Sequence, residues 1–229
     1  DPLELDPNQL GWIVHHAGDP HRPLDVARLA AALGPHAPRV LCPDSPQLSL
    51  PAGAPLTMEP GGQVEISALP KRSLTDLFAA VTSDAAFLAD LLRDAGLVLG
   101  TRAADRYRAP RRILRTPRYQ AMEKAFAPIG PDGITMMCNT ASLQLCVDAG
   151  PAESVARRWQ ALHLLGPALI AAFSNSPSRA GDPAGWACAR MRAVLGTDPV
   201  RTRPLEPADD PVSDWARRVL DTPLLCVRR

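Results

Sequence analysis

Proline sets the terms on which this chain can fold. Twenty-five of the 229 residues are proline, about twice ordinary usage. Each one fixes φ and removes a backbone donor, so helices and central strands must stop at it or be arranged around it. Pro20 and Pro23 close off the first apolar segment, and Pro35, Pro38, Pro43 and Pro46 forbid helix across the stretch that holds them. Proline and glycine together stay below the low-complexity range, and 46% of residues are hydrophobic. The chain therefore reads as globular, with a sizeable core and many elements that end abruptly. Aromatics are only 4%, which leaves Leu, Val, Ile and Ala to build that core.

Charge and cysteine usage exclude several classes. A formal net charge of +1 gives no overall basic field for non-specific nucleic-acid binding, and no acidic solvating character either. Cys42, Cys138, Cys146, Cys188 and Cys226 are odd in number and lack metal-ligand spacing, which argues against a disulfide framework or a structural zinc site. The opening Asp1-Pro2-Leu3-Glu4 is not a signal peptide, and no apolar run reaches the roughly 18 residues a membrane span needs. The expectation is a soluble, cytoplasmic protein of one domain, with neither a membrane nor a nucleic-acid partner.

Periodicity predicts a mixed α+β chain. Strands are expected over 9–16, over Gln63 to Ser67 after the turn Glu59-Pro-Gly-Gly62, over 98–101, over 134–148 and over 224–228. Helices are expected over 24–33 before Gly34, from a Ser73 cap to about Leu92 and Gly96, and over 116–126 with Pro117 at the first helical position. Further helices are expected over 151–173, 185–196 and 212–220. Residues 102–115 are basic and broken by proline, and 175–181 reads as a loop.

Alternation assigns the chemistry to one face. Read as a strand, 134–148 puts Cys138, Thr140, Ser142, Gln144, Cys146 and Asp148 on one side, with Met137, Ala141, Leu143, Leu145 and Val147 on the other. Gln63, Glu65 and Ser67 oppose Val64 and Ile66 in the same way. Such a polar face is either the solvated side of an antiparallel sheet or the wall of a polar ligand site. Amides, small hydroxyls, thiols and isolated carboxylates, rather than Lys and Arg, tilt the reading to a site.

Glu59 and Glu65 are candidate Mg2+ ligands, because that ion takes one or two carboxylates and completes its shell with water and phosphate. They read equally as ordinary surface acids. Arg118, Arg158, Arg190, Arg192 and Arg201 are candidates to clamp phosphate or carboxylate. No phosphate loop, dinucleotide fingerprint, HExxH or GxSxG is present. His15, His16 and His21 lack a third ligand at a defined spacing and read as strand-end residues, and no cysteine is flanked as a nucleophile.

Glu59-Pro-Gly-Gly-Gln-Val-Glu-Ile-Ser67 with Pro70 resembles the EPGGQxExS…P signature of the plant-type and actinobacterial glutamate-cysteine ligases. The same order of motifs continues through Pro117-Arg-Tyr119, Met136 to Asp148, Ala172-Phe-Ser-Asn-Ser-Pro177, and Cys188-Ala-Arg190 before Thr197-Asp-Pro-Val-Arg201. The resemblance implies a glutamine-synthetase-like fold, an antiparallel sheet curved into a funnel with helices packed outside. It implies an ATP-dependent ligase that phosphorylates the side-chain carboxylate of L-glutamate and joins it to L-cysteine, giving gamma-glutamylcysteine for ergothioneine synthesis.

By matching positions, Glu59 and Glu65 would hold Mg2+, and Gln63 and Glu65 would serve ATP. Arg190 and Gln144 would act in catalysis. Arg190, Arg118, Tyr119, Thr140 and Ser142 would bind substrate. Two departures stand out. The family's first-strand GxExE glutamates fall on Gln9 and Gly11, unless Glu4 and Asp6 take their place through an insertion. The family also continues past the point matching Arg229, so residues 1–229 are expected to be one catalytic-type domain, the N-terminal portion of a longer ligase. A ligase for another amine, or a silent ligand-binding homologue, are the competing expectations.

Overall fold

The computed structural model describes residues 8–178, 180, 186–203 and 209–225. It is a mixed α+β arrangement with antiparallel strands. Strands β1 (Asn8–Trp12), β2 (Val14–His16), β3 (Leu56–Met58), β4 (Val64–Ala68), β5 (Leu97–Leu99) and β6 (Leu143–Gln144) form two sheets. The larger has the order β3-β4-β1-β6, and β2 pairs with β5 in the smaller. Expected strand 9–16 is therefore split at Ile13 between the two sheets. β3 was not anticipated, since three residues carry too little alternation to register.

Helices α1 (Val26–Leu33), α2 (Leu74–Asp94), α3 (Pro117–Phe126) and α4 (Asp132–Asn139) precede α5 (Val155–Phe173), α6 (Ala189–Thr197), α7 (Pro199–Thr202) and α8 (Pro211–Asp221). Their starts are written locally. Asp25, Ser73, Thr116 and Asp210 each accept a hydrogen bond from the backbone N–H three residues on, satisfying one of the orphan donors of a first turn. Pro117 and Pro211 sit at the start of their helices, where no donor is needed. Gly34 and Gly96 follow α1 and α2 with φ of 52° and 68°, the left-handed geometry that glycine adopts without a Cβ penalty.

The core lies between one face of the larger sheet and α1 and α2. Leu56, Val64 and Ile66 meet Leu29, Leu33, Leu88 and Leu92, and all seven are almost fully buried. Asp84 is buried among them on α2, and its carboxylate accepts from the N–H groups of Ala52 and Ala54. That carboxylate ties the proline-rich segment before β3 to the helix, which is how a stretch without secondary structure is held in place.

The expected strand over 134–148 is corrected. Residues 132–139 are helix α4, and only Leu143 and Gln144 are strand. The reason is tertiary. Gly133 packs on Phe126, where a Cβ would come within 2.4 Å of the Phe126 Cβ, and a Cβ on Gly196 would meet the Asp132 carboxylate at 2.2 Å. These close approaches seat α4 between α3 and α6, and such packing overrides a period-2 pattern in the sequence. Cys138 and Thr140 therefore do not share a strand face with Ser142 and Gln144. The expected strand 224–228 is not formed at Leu224 and Leu225, and its remainder lies outside the described residues, as do Glu4 and Asp6. Among the described residues no helix is long and apolar enough to cross a membrane.

Candidate functional site

The turn between β3 and β4 carries Glu59 and leads directly into Glu65 on β4. Glu59 N–H bonds the Gln63 carbonyl at 2.9 Å and Gly62 N–H bonds the Glu59 carbonyl at 2.9 Å. Gly62 has φ of 89°, a conformation that favours glycine. Gly61 lies against α4 so closely that a Cβ would fall 2.0 Å from the Cys138 carbonyl oxygen. Both glycines of the EPGG segment are thus required by geometry.

Gln63 locks this turn to α4. Its side chain is 2% exposed. Its Oε1 accepts from Gly61 N–H at 2.9 Å, and its Nε2 donates to the carbonyls of Met137 at 3.3 Å and Thr140 at 2.8 Å. All of its polar atoms are therefore committed within the protein. Thr140 is likewise engaged, its hydroxyl donating to the Met136 carbonyl at 2.8 Å.

Beyond the turn, β4 turns Val64 and Ile66 to the core and Glu65 and Ser67 to the opposite face. Glu65 is 4% and Ser67 6% exposed, so on this strand the polar face is buried rather than solvated. Thr57 of β3 pairs with Glu65, and its hydroxyl donates to the Glu65 carboxylate at 2.9 Å. On the other side, β1 places Gly11 opposite Glu65 and Gln9 opposite Ser67. Gln144 stands opposite Gln9 and is exposed, its amide 3.4 Å from the Ser142 hydroxyl. Gly11 N–H donates to the Ser142 carbonyl at 2.9 Å. One sheet face thus brings together Gln9, Gly11, Thr57, Glu65, Ser67, Ser142 and Gln144.

Electrostatics single out the acids. Burial raises the Glu59 carboxyl above its ordinary value and the Glu65 charge adds to that, with only Arg118 opposing. Burial raises Glu65 as well, against the Thr57 hydrogen bond. Both are carboxylates whose ionised form is disfavoured by burial and incompletely compensated by the charges around it. Arg118 and Tyr119 open α3 beside them, the guanidinium 5.6 Å from the Tyr119 ring centroid. Tyr119 is raised by burial and by Glu59. Burial, with Glu123 and Glu59 nearby, pushes the Cys138 thiol up to about 12, so it stays protonated and is no nucleophile.

Arg190 lies on α6, outside this strand cluster. Burial lowers its pKa, and its Nε is buried without a hydrogen-bond partner. An unpartnered buried guanidinium N–H is costly and suits a group held for an anion. Other arginines are structurally engaged: Arg158 bonds the Asp148 carbonyl and Arg201 pairs with Asp198. Asn175 holds the segment beside Gly11, accepting from Ala103 N–H and donating to the Thr101 carbonyl. Together they border a cavity of about 230 Å³ that also touches Ser142. Sequence reasoning missed Thr57, because a three-residue strand gives no periodic signal and its role appears only opposite Glu65. Among the described residues no cluster of three or more His, Cys, Asp or Glu side chains forms a closed metal site.

The model of glutamate-cysteine ligase family 2 (GCS2) matches residues 14–229. The chain is similar to the glutamate-cysteine ligase EgtA of Mycobacterium tuberculosis, 40% identical over 183 residues that cover 78% of this chain and 42% of that protein. It is 41% identical over 185 residues to EgtA of Mycolicibacterium smegmatis, covering 78% and 43%. The chloroplastic glutamate-cysteine ligase of Arabidopsis thaliana is 30% identical over 149 residues, covering 64% and 28%. The chain thus spans about two-fifths of the length of the mycobacterial relatives it matches. With that match running through the carboxylate turn, the buried polar strand face and the Arg190 helix, the chain belongs to glutamate-cysteine ligase family 2.

Proposed function

We propose that this chain forms part of an ATP-dependent ligase that joins the side-chain carboxylate of L-glutamate to the amine of L-cysteine. The observation that carries the reading is the undercompensated acid pair, half-buried Glu59 on the turn and buried Glu65 on the polar face of β4, within a family whose relatives are glutamate-cysteine ligases. A carboxylate is a poor electrophile until one oxygen becomes phosphate. A glutamate carboxylate oxygen attacks the γ-phosphorus of ATP and ADP leaves. The cysteine amine then attacks the acyl carbon, loses a proton, and phosphate departs. The protein's share is positioning and charge compensation.

Glu59 and Glu65 are the residues to hold Mg2+ with ATP, and their chemistry fits an ion that takes one or two carboxylates and fills its shell with phosphate and water. When bound, that ion neutralises charge on the transferring phosphoryl group. Arg118 and Arg190 bind anionic groups of the substrates, and Tyr119 offers a hydroxyl that burial keeps protonated. Ser142 and Gln144 line the open end of the face. Gln63 serves the nucleotide by fixing the turn that carries Glu59 and leads into Glu65, and Thr140 by closing α4. The larger sheet would be one wall of a glutamine-synthetase-like funnel, in a protein that works in the cytoplasm, where Mg-ATP and reduced cysteine are supplied. The product would be gamma-glutamylcysteine for ergothioneine synthesis.

A second reading, a homologue that binds ligands without turnover, draws on one observation: Gly11 faces Glu65 where the family's pattern has a glutamate. Phosphate release from Mg-ATP, measured on the full-length protein with glutamate, cysteine or both, separates the two. Release that requires both amino acids supports the ligase, and no release with both present refutes it.

A further inference from the structure

A cavity of about 680 Å³ is lined by Arg108, Arg111, Arg112 and Arg115, and neither Glu59 nor Glu65 is among its lining residues. Val64 and Ile66 face the core together with Leu29 and Leu33 of α1, so Glu65 faces away from that helix. The cavity, by contrast, is walled by Leu24 and Val26 at the start of α1 and by Gly61 at the outer end of the turn.

The cavity is built rather than incidental. Arg108 is fixed by the Asp105 carboxylate at 2.7 Å and the Val14 carbonyl at 2.9 Å. Arg112 is fixed by the Glu123 carboxylate and by the Leu114 carbonyl at 2.8 Å. Asn139 donates to the Arg108 carbonyl at 3.0 Å. The N–H groups of Ile113 and Leu114 both bond the Pro60 carbonyl, at 2.7 and 3.1 Å. The arginine segment is therefore pinned to α4 at one end and to the carboxylate turn at the other. Arg111 and Arg115 are exposed and have no ion-pair or hydrogen-bond partner among the described residues.

Four arginines thus border one space whose lining includes a single acid, Asp105, already paired with Arg108. Guanidinium forks match phosphate oxygens bidentately, while Leu24, Ile113 and the Tyr107 ring supply apolar wall. We propose that this cavity is a second anion site, distinct from the Glu59–Glu65 pair, which takes a phosphorylated small molecule of about nucleotide size.

Calorimetric titration with inorganic pyrophosphate in EDTA, at constant ionic strength, tests the assignment on the full chain. Saturable binding is expected, weakened at least tenfold in an Arg111→Gln/Arg115→Gln double variant and unchanged in Glu65→Gln. The two arginines are exposed and unpaired, so their loss leaves folding intact, which circular dichroism checks. Absence of saturable binding overturns the proposal, as does equal binding by the double variant or equal displacement by chloride. Mg-ATP binding measured on the same double variant is expected to match the parent. A parallel tenfold loss there makes the cavity part of the nucleotide site and overturns its independence.

Discussion

Replacing Gln63 by leucine removes a brace that the structure makes quantitative. The side chain is 2% exposed and serves three backbone groups, Gly61 N–H and the carbonyls of Met137 and Thr140. Met137 lies in the last turn of α4, whose carbonyls have no intrahelical donor. Gln63 thus caps a helix from a turn more than seventy residues away. Leucine keeps the approximate volume and strands all three groups, each at about 1–3 kcal/mol if buried and unsatisfied. Partial entry of water lowers the sum, and a loss of about 3 kcal/mol is expected. For a domain of this size that corresponds to a fall in Tm of roughly 6–12 °C. Urea unfolding followed by far-ultraviolet circular dichroism, without nucleotide or metal, measures it. If Gln63 acts only as a nucleotide contact, the midpoint stays within about 0.5 kcal/mol of the parent and only the KM for ATP rises. That result refutes the brace.

Three further outcomes follow from the same geometry. Asp105 feels a burial penalty, but the His15 ring nitrogen 3.4 Å away and hydrogen bonds from Tyr107 N–H and Arg108 outweigh it and hold its pKa at about 2, against 3.8 unperturbed. A depressed folded-state pKa gives stability that is full above pH 4 and lost as pH falls through 2. Asp105→Asn should therefore cost about 2 kcal/mol at pH 7, and pH-dependent unfolding should show the difference shrinking below pH 4. Glu65 is shifted the other way by burial, so its ionised form is disfavoured in the folded chain. Glu65→Gln should raise the urea midpoint at pH 7 while weakening Mn2+ binding measured by calorimetry, and a lowered midpoint contradicts the assigned shift. A Cβ on Gly11 would lie 3.4 Å from the nearest atom, the Ser142 carbonyl oxygen, which is ordinary contact. Gln9→Glu with Gly11→Glu should therefore fold and bind Mn2+ about tenfold or more tightly, a gain of about 1.4 kcal/mol. Unchanged affinity in a folded variant shows that these positions do not face the cation.

Much of this was legible because it is local. Ser73 and Thr116 announce their helices by cap chemistry, Pro117 by its place in the first turn, and Gln63 to Ser67 their strand by alternation. The carboxylate turn was legible for the same reason, since Glu59, Gly61, Gly62 and Glu65 act within seven residues. What failed depended on distant contacts. Residues 134–139 alternate like a strand, yet Gly133 and Gly196 seat them as a helix between α3 and α6. The committed roles of Gln63 and Thr140 were hidden because their partners lie on α4. Thr57 was hidden because β3 acquires its meaning only opposite Glu65. The fate of the prolines is now physical rather than statistical. Pro60 offers the carbonyl that anchors the arginine segment, while Pro167 is accommodated inside α5.

In the proposed reaction, glutamate is activated by phosphoryl transfer to its side-chain carboxylate beside Glu59 and Glu65. Incubating the full-length protein with Mg-ATP, cysteine and glutamate labelled with 18O in the side-chain carboxylate, then recovering the phosphate for mass spectrometry, tests it directly. One 18O is expected in each phosphate released, with the transfer abolished in Glu65→Gln. Phosphate released without the label would show that the carboxylate is never phosphorylated, and would contradict the proposed reaction.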